Sequence, residues 1–293
     1  ANAIKAQRII ELQNQSHGFK INKTSHIKLT DYIQSVAEKK SENEVRKTVL
    51  HAVVYHLRRY NPNDIQLSRI DKDYILGFLD YLKTAKQTHT KKEKLLHVNT
   101  QVYYYKMLRY CLNYAVSEEL ISANPMNKIK NEEKPHKHRT EREYLTIDEL
   151  RKLAQTPFYN GLLKKAFLFS CFCGLRHSDI IALTWGDIEM DDDGNFRLYI
   201  IQKKTKEAIS LPLSQEAIKQ LPKREDAKED DIIFKKLITL GRTNEILPKW
   251  AEQAGIKKHI TFHTARHTHA TMLLTLGVDL YTCLLYTSDA ADD

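Results

Sequence analysis

The stretch 171–185, CFCGLRHSDIIALTW, closes one helix and opens another. The run leading into it, GLLKKAFLFSCFC (161–173), is apolar nearly all round, which marks a helix buried on every side. Gly174 ends that run, as glycine commonly does at a helix C-terminus. HSDIIALTW then reads as the next helix, with Ser178 as its cap and Asp179 in the first turn, where the helix dipole favours a carboxylate. Arg176 therefore falls in a tight turn whose backbone two cores would fix. A second stretch, TFHTARHTHATM (261–272), opens a helix that runs to Gly277 and sets His263 and Arg266 one helical turn apart.

Between these stretches the period changes from helical to alternating. DIEMDDDGNFRLYIIQKKTKEAISLPL (187–213) turns at Asp193-Gly194-Asn195 and again at KKTKE, predicting a small three-stranded antiparallel sheet. Its tip carries Lys203, Lys204 and Lys206. Helices follow at SQEAIKQL and at RTNEILPKWAEQAG, the latter kinked or restarted around Pro248. Upstream, Thr146 and Glu149 form a capping box ahead of IDELRKLAQ.

Residues 24–125 read as four helices with short loops, a bundle of ordinary domain size. SHIKLTDYIQSVAEK puts Ile27, Leu29, Tyr32, Ile33 and Val36 on one side. The next helix opens on a Ser41/Glu44 capping box and runs Val45, Val49, Val53 and Leu57 down one face. Asp71 caps the third, and Asn99 or Thr100 starts the fourth, VNTQVYYYKMLRYCLNYAVSEEL, which Pro125 stops. Two features face outward: the lysine-rich 83–94 with Lys91 and Lys92, and the helix from 99, where one stripe cannot bury all of Tyr103, Tyr104, Tyr105, Lys106, Arg109 and Tyr110. Hydroxyls and cations on one element suit phosphate and sugar contacts, so Lys91, Lys92, Tyr104, Lys106 and Arg109 are candidate DNA-binding residues. The polar, Pro135-interrupted 126–142 reads as an interdomain linker, and 1–23 as the end of an amino-terminal segment. The opening Ala1 is consistent with a cut amino end.

The net charge is +9, from 46 Lys+Arg against 37 Asp+Glu, which favours a polyanionic partner. No run approaches membrane-spanning length and the amino end has no apolar signal core, so a cytoplasmic protein is expected. The four cysteines lack zinc or redox spacing and read as buried reduced thiols.

Taken together, Arg176, Arg266, His263 and a hairpin lysine, Lys203 or Lys204, suit a phosphodiester. Guanidinium forks bind two phosphate oxygens and stay charged, a lysine on a hairpin can protonate a leaving oxygen, and a histidine can hold or shuttle a proton. A zinc site at His263 and His267 would need a glutamate where Thr264 stands, and Arg266 would set a cation against the metal.

CGLRHSDIIALTW, the QKKT hairpin and TFHTARHTHAT, in this order, resemble the tyrosine recombinase (phage integrase) family over about 24–282. The likeness is nearest to conjugative-transposon integrases of Bacteroides-type bacteria. It implies a mainly α fold, with a helical core-binding bundle at 24–125 and an α-rich catalytic domain with a small three-stranded antiparallel sheet at 143–282. It further implies that Arg176, Lys204 (with Lys203 as fallback), His263 and Arg266 are catalytic, Lys204 as general acid on the 5′ oxygen, and that His267 is a supporting residue. A tyrosine would attack duplex DNA to give a 3′-phosphotyrosine, with no metal or other cofactor, and four protomers would exchange strands as a homotetramer in the bacterial nucleoid. A type IB topoisomerase, a non-catalytic DNA-binding protein of the same fold, and a metal-dependent nuclease using the histidines are the rivals.

The carboxyl end departs from the family pattern. No Gly-His pair follows Gly277, and Tyr281 and Tyr286 stand too soon after Arg266 to be the family's nucleophile. CLLYTSDAADD (283–293) resembles the translation of a transposase mosaic-end sequencing adapter, so the reading frame is expected to be truncated near Thr282, with the nucleophilic tyrosine missing.

Overall fold

The structure is a computed structural model and describes residues 26–40, 44–88, 94–138, 141–204 and 206–279. The Ser41 cap, Lys91, Lys92, Thr205, Tyr281, Tyr286 and the tail 283–293 lie outside the described residues. The chain divides into two units, Ala1–Arg139 and Thr140–Asp293.

The first unit packs α1 (Leu29–Lys40), α2 (Glu44–Tyr60), α3 (Lys72–Thr84) and α4 (Val98–Ser117) around one apolar core. Leu29, Tyr32, Ile33 and Val36 are buried at helical spacing, and Asp71 caps α3 by accepting from the Tyr74 amide at 2.8 Å. The buried stripe of α2 is Leu50, Val53, Val54 and Leu57, while Val45, expected on that face, is 64% exposed. It lies in the first turn of its helix, where burial has yet to begin. The cap of α4 is His97, whose ring Nδ1 accepts from the Asn99 amide, rather than Asn99 or Thr100.

The stretch expected to be an interdomain linker, 126–142, packs on this unit through residue 138. Met126 and Ile129 are buried in its core, Glu133 pairs with Lys72 at 2.8 Å, and the His138 backbone bonds to the Asn99 side chain. Two apolar residues in a polar stretch are enough to dock it. Cys111 is buried here as well, and burial pushes its thiol up to about 12.

In the second unit, α5 (Ile147–Gln155) opens on the expected box: the Glu149 amide donates to Thr146 Oγ1, and Glu149 Oε2 accepts from the Thr146 amide. α6 (Gly161–Cys173) is the central helix, carrying Leu163, Phe167, Phe169 and Cys171 at zero exposure. After the one-turn α7 (His177–Ile180) come β1 (Ile188–Met190), β2 (Phe196–Ile201) and β3 (Ala208–Pro212), paired antiparallel in that order with Leu198 opposite both Ile188 and Leu211. α8 (Gln215–Ile218), α9 (Leu240–Gln253) and α10 (Phe262–Thr275) complete the unit. α9 runs through Pro248 as one helix and does not restart there. Trp250 on α9 is fully buried, stacked on Phe158 with ring centroids 4.7 Å apart. Mainly helical with one small antiparallel sheet, this is the expected fold class. Among the described residues no helix is long and apolar enough to cross a membrane.

Candidate active site

Three pieces of backbone meet at the site: the end of α6, the β2–β3 turn and the start of α10. Gly174 ends α6 in the left-handed conformation, φ 71°, and its amide donates to the Ser170 carbonyl. The Ser170 hydroxyl donates to the Leu175 carbonyl at 2.7 Å and so ties down the turn. Arg176 follows in extended conformation and is itself the residue before α7. The long helix expected over 177–185 is only one turn, and Ser178 is not its cap: its hydroxyl points 3.5 Å toward Asp179. Asp179 does lie in the first turn, but its carboxylate also accepts from the Lys203 amide at 3.0 Å.

The hairpin base is closed by Gln202, whose amide donates to the Glu207 carbonyl and whose carbonyl accepts from the Lys206 amide, both at 2.9 Å. Lys203, Lys204 and Lys206 are exposed beyond it, whereas the Gln202 side chain is buried. That side chain accepts a hydrogen bond from Arg176 Nη1.

α10 is capped by Thr261, whose amide donates to Thr264 Oγ1, while the Phe262 amide donates to Asn244 of α9. Phe262 anchors the first turn in the core, with His177 edge-on to its ring at 4.9 Å between centroids. One face of that turn exposes His263, and the other drives Arg266 inward to 2% exposure, where Nη1 donates to the Gly174 carbonyl. His267 sits edge-on to His263 at 4.5 Å. His269, a turn beyond Arg266, is buried against Gly174, and burial first, then the Arg266 charge, holds its ring down to about 4. Burial likewise lowers the His177 ring, which bonds to the Ile238 carbonyl.

Arg176, Lys204, His263 and Arg266 line one cavity of about 260 Å³, with His177 and Phe262 in its wall. Four residues chosen from three distant stretches of sequence thus come together. Two guanidiniums held by protein acceptors and the ammonium of an exposed lysine concentrate positive potential in a confined space, which suits an anion with several oxygens. Gln202 went unrecognised in the sequence because a polar residue at a strand end reads as solvent-facing; its place directly before the lysines was the available signal.

The outward face of the first unit is smaller than expected. Tyr104 is 6% exposed, packed on the buried His56 with ring centroids 5.6 Å apart, and so belongs to the core. Tyr103 and Lys106 are exposed, and the half-buried Arg109 donates to Asn127.

A helical bundle followed in sequence by an α-rich unit with this cationic cavity agrees with an enzyme that acts on the DNA backbone. Residues 28–134 match the phage integrase SAM-like domain and residues 143–283 the phage integrase family. The chain belongs to that family, the tyrosine recombinases, and its class of activity is site-specific DNA recombination. It is 24% identical over 268 residues to tyrosine recombinase XerC of Pelotomaculum thermopropionicum, covering 85% of this chain and 83% of that protein. It is 28% identical over 225 residues to a tyrosine recombinase of Pseudothermotoga lettingae, covering 74% and 73%. Among solved structures, the Tn1549 transposon integrase in complex with circular intermediate DNA superposes with TM-score 0.67 at 14% identity, over 91% of this chain and 97% of that one. A lambda integrase tetramer bound to a Holliday junction does so with TM-score 0.68 at 19% identity, over 100% and 88%.

Proposed function

We infer that this chain binds duplex DNA and presents a scissile phosphate to the cavity, as one protomer of an integrase-type homotetramer that works in the bacterial cytoplasm. The observation that carries the reading is the gathering of Arg176, Lys204, His263 and Arg266 around one cavity. In this reading the two guanidiniums hold the non-bridging oxygens and stabilise the charge that grows in the pentavalent transition state. Lys204, exposed at the hairpin tip, protonates the departing 5′ oxygen, and His263 hydrogen-bonds a phosphate oxygen. A tyrosine attacks, its phenolic oxygen forming the bond to phosphorus as the 5′ oxygen leaves, and the 3′-phosphotyrosine conserves the bond energy for rejoining. No residue set in this scheme calls on a metal. DNA contacts in the first unit fall to Tyr103, Lys106 and Arg109, with Lys91 and Lys92 as the neighbouring cations in sequence. Support for tetramers and for mobile-element DNA comes from the structural neighbours, among them a lambda integrase tetramer bound to a Holliday junction and the Tn1549 transposon integrase in complex with circular intermediate DNA. The Bacteroides-type conjugative-transposon assignment rests on the sequence motifs.

Neither Tyr281 nor Tyr286 stands at the spacing of the family's nucleophile, so attack is assigned to a tyrosine encoded beyond Thr282, in place of the adapter-like text. The test uses a duplex selected by this chain from a random-sequence pool, then nicked as a suicide substrate. The chain as given should retain the duplex without a covalent adduct, and the chain extended by the source DNA downstream of codon 282 should form one that Arg176→Ala abolishes. An adduct with the unextended chain, lost in Tyr286→Phe, would move the nucleophile to Tyr286. No adduct with the extended chain would overturn the recombinase mechanism, and an adduct suppressed by chelator would favour a metal-dependent nuclease.

A further inference from the structure

We propose that Gln202 is a positioning residue that locks the guanidinium of Arg176 to the base of the lysine hairpin, so that the two move as one unit. The proposal rests on the reading of the cavity as a phosphate cradle. Gln202 is 3% exposed and Arg176 9% exposed, so their hydrogen bond is shielded from water. A shielded bond from a charged donor is stronger than an exposed neutral one. The backbone of the same glutamine makes both hydrogen bonds that close the hairpin, to Glu207 and from Lys206. A second fastening runs the other way, from the Lys203 amide to the Asp179 carboxylate, three residues after Arg176.

These links fix the geometry before any ligand arrives. The hairpin hangs from the α6–α7 turn at two points, one through the Arg176 side chain and one through Asp179. Lys204 lies two residues beyond Gln202 and so inherits a base already in register with Arg176. The lysine tip itself stays exposed, on the side from which a leaving oxygen would be met. Pre-ordering a long side chain spares binding the entropy of fixing it. An amide suits this position better than a carboxylate. It accepts the bond without cancelling the positive charge that the cavity needs.

The experiment follows the Arg176 guanidinium by nitrogen-detected NMR in the full chain, with inorganic phosphate as the probe. In the native chain, rotation about the Cζ–Nη1 bond should be slow and phosphate should shift the Arg176 and His263 signals. Gln202→Met keeps the volume but lacks the acceptor: rotation should become fast, and phosphate affinity should fall by about three- to ten-fold, the cost of ordering one long side chain. Gln202→Glu keeps the acceptor: rotation should remain slow although phosphate affinity falls, because the carboxylate offsets the guanidinium charge. A folded Gln202→Met chain with native rotation or native phosphate affinity overturns the positioning role. If Gln202→Met fails to fold, fast rotation in Gln202→Glu overturns it and slow rotation supports it. A native chain with slow rotation and no response to phosphate would instead sink the phosphate-cradle reading.

Discussion

Replacing Gly174 by alanine tests whether the turn that feeds both arginines is as tight as it stands in the structure. Two costs arise. The backbone has φ 71°, a conformation that costs an L-residue about 1–2 kcal/mol. An added Cβ would also lie 2.6 Å from Cδ2 of His269, closer than real Cβ atoms come, and overpacking of a buried site costs about 1–3 kcal/mol. Alanine also narrows the unfolded ensemble, which returns up to about 1 kcal/mol. Gly255 supplies the control, since it has φ 73° with nothing within 4 Å of an added Cβ. Strain and unfolded-state effects are common to both, so Gly174→Ala should be worse than Gly255→Ala by the overpacking alone, about 1–3 kcal/mol. Trp185 and Trp250 are the only tryptophans and both lie in the second unit, so their fluorescence in a urea titration reports that unit selectively. In a His269→Ala background the ring is gone, and the Gly174→Ala increment should shrink to that of Gly255→Ala. Equal destabilisation by Gly174→Ala and Gly255→Ala in the native background would refute the close packing of His269 on the turn.

The same histidine sets an acid limit. Its folded pKa of about 4 lies below the unfolded value near 6.5, so the unfolded chain binds the extra proton first, and stability is lost as pH falls from about 6.5 toward 4. The full loss is on the order of 3 kcal/mol, and His269→Phe should reduce the slope of tryptophan-monitored stability across that window, leaving the smaller share of the buried His177; an unchanged slope would contradict the burial. Trp250→Ala should cost about 3–5 kcal/mol by emptying a fully buried indole site, read from the remaining Trp185 signal or by calorimetry. Lys106→Ala should lower the slope of log affinity against log salt by about 1 for duplex DNA, whereas Tyr104→Phe should leave DNA affinity unchanged because the ring is in the core. A DNA-binding defect in Tyr104→Phe with normal folding would return that tyrosine to the interface.

Helical period and capping made the two units readable from sequence because both are local signals. Asp71, Thr146 and Gly174 each satisfy or release backbone groups within a few residues, and each does so in the structure. The cavity residues were readable for a different reason: CGLRHSD, the QKKT hairpin and a His-x-x-Arg at a helix start resemble, in that order, the motifs of one family. The misreadings share one cause. Tyr104, the 126–138 segment and the short α7 are decided by what packs against them, and sequence spacing carries no record of the partner. Tyr104 looks outward-capable until His56 is placed beside it.

The two arginines illustrate the limit most clearly. Both are visible in the sequence as charges beside apolar helices, yet what orients them is not. Arg266 donates to the carbonyl of Gly174, 92 residues earlier, and Arg176 donates to Gln202, 26 residues later. One acceptor is a backbone atom, which no side-chain pattern can announce, and the other is an amide that reads as ordinary strand-end polarity. Each bond fixes one nitrogen of a guanidinium that lines the cavity, so direction is set by the fold before a phosphate enters. Gly174 then has two roles that alanine cannot separate. Its left-handed backbone and amide end α6, and its carbonyl aims Arg266. A turn under that double constraint explains why a glycine stands where the left-handed conformation, the His269 ring and the guanidinium all meet.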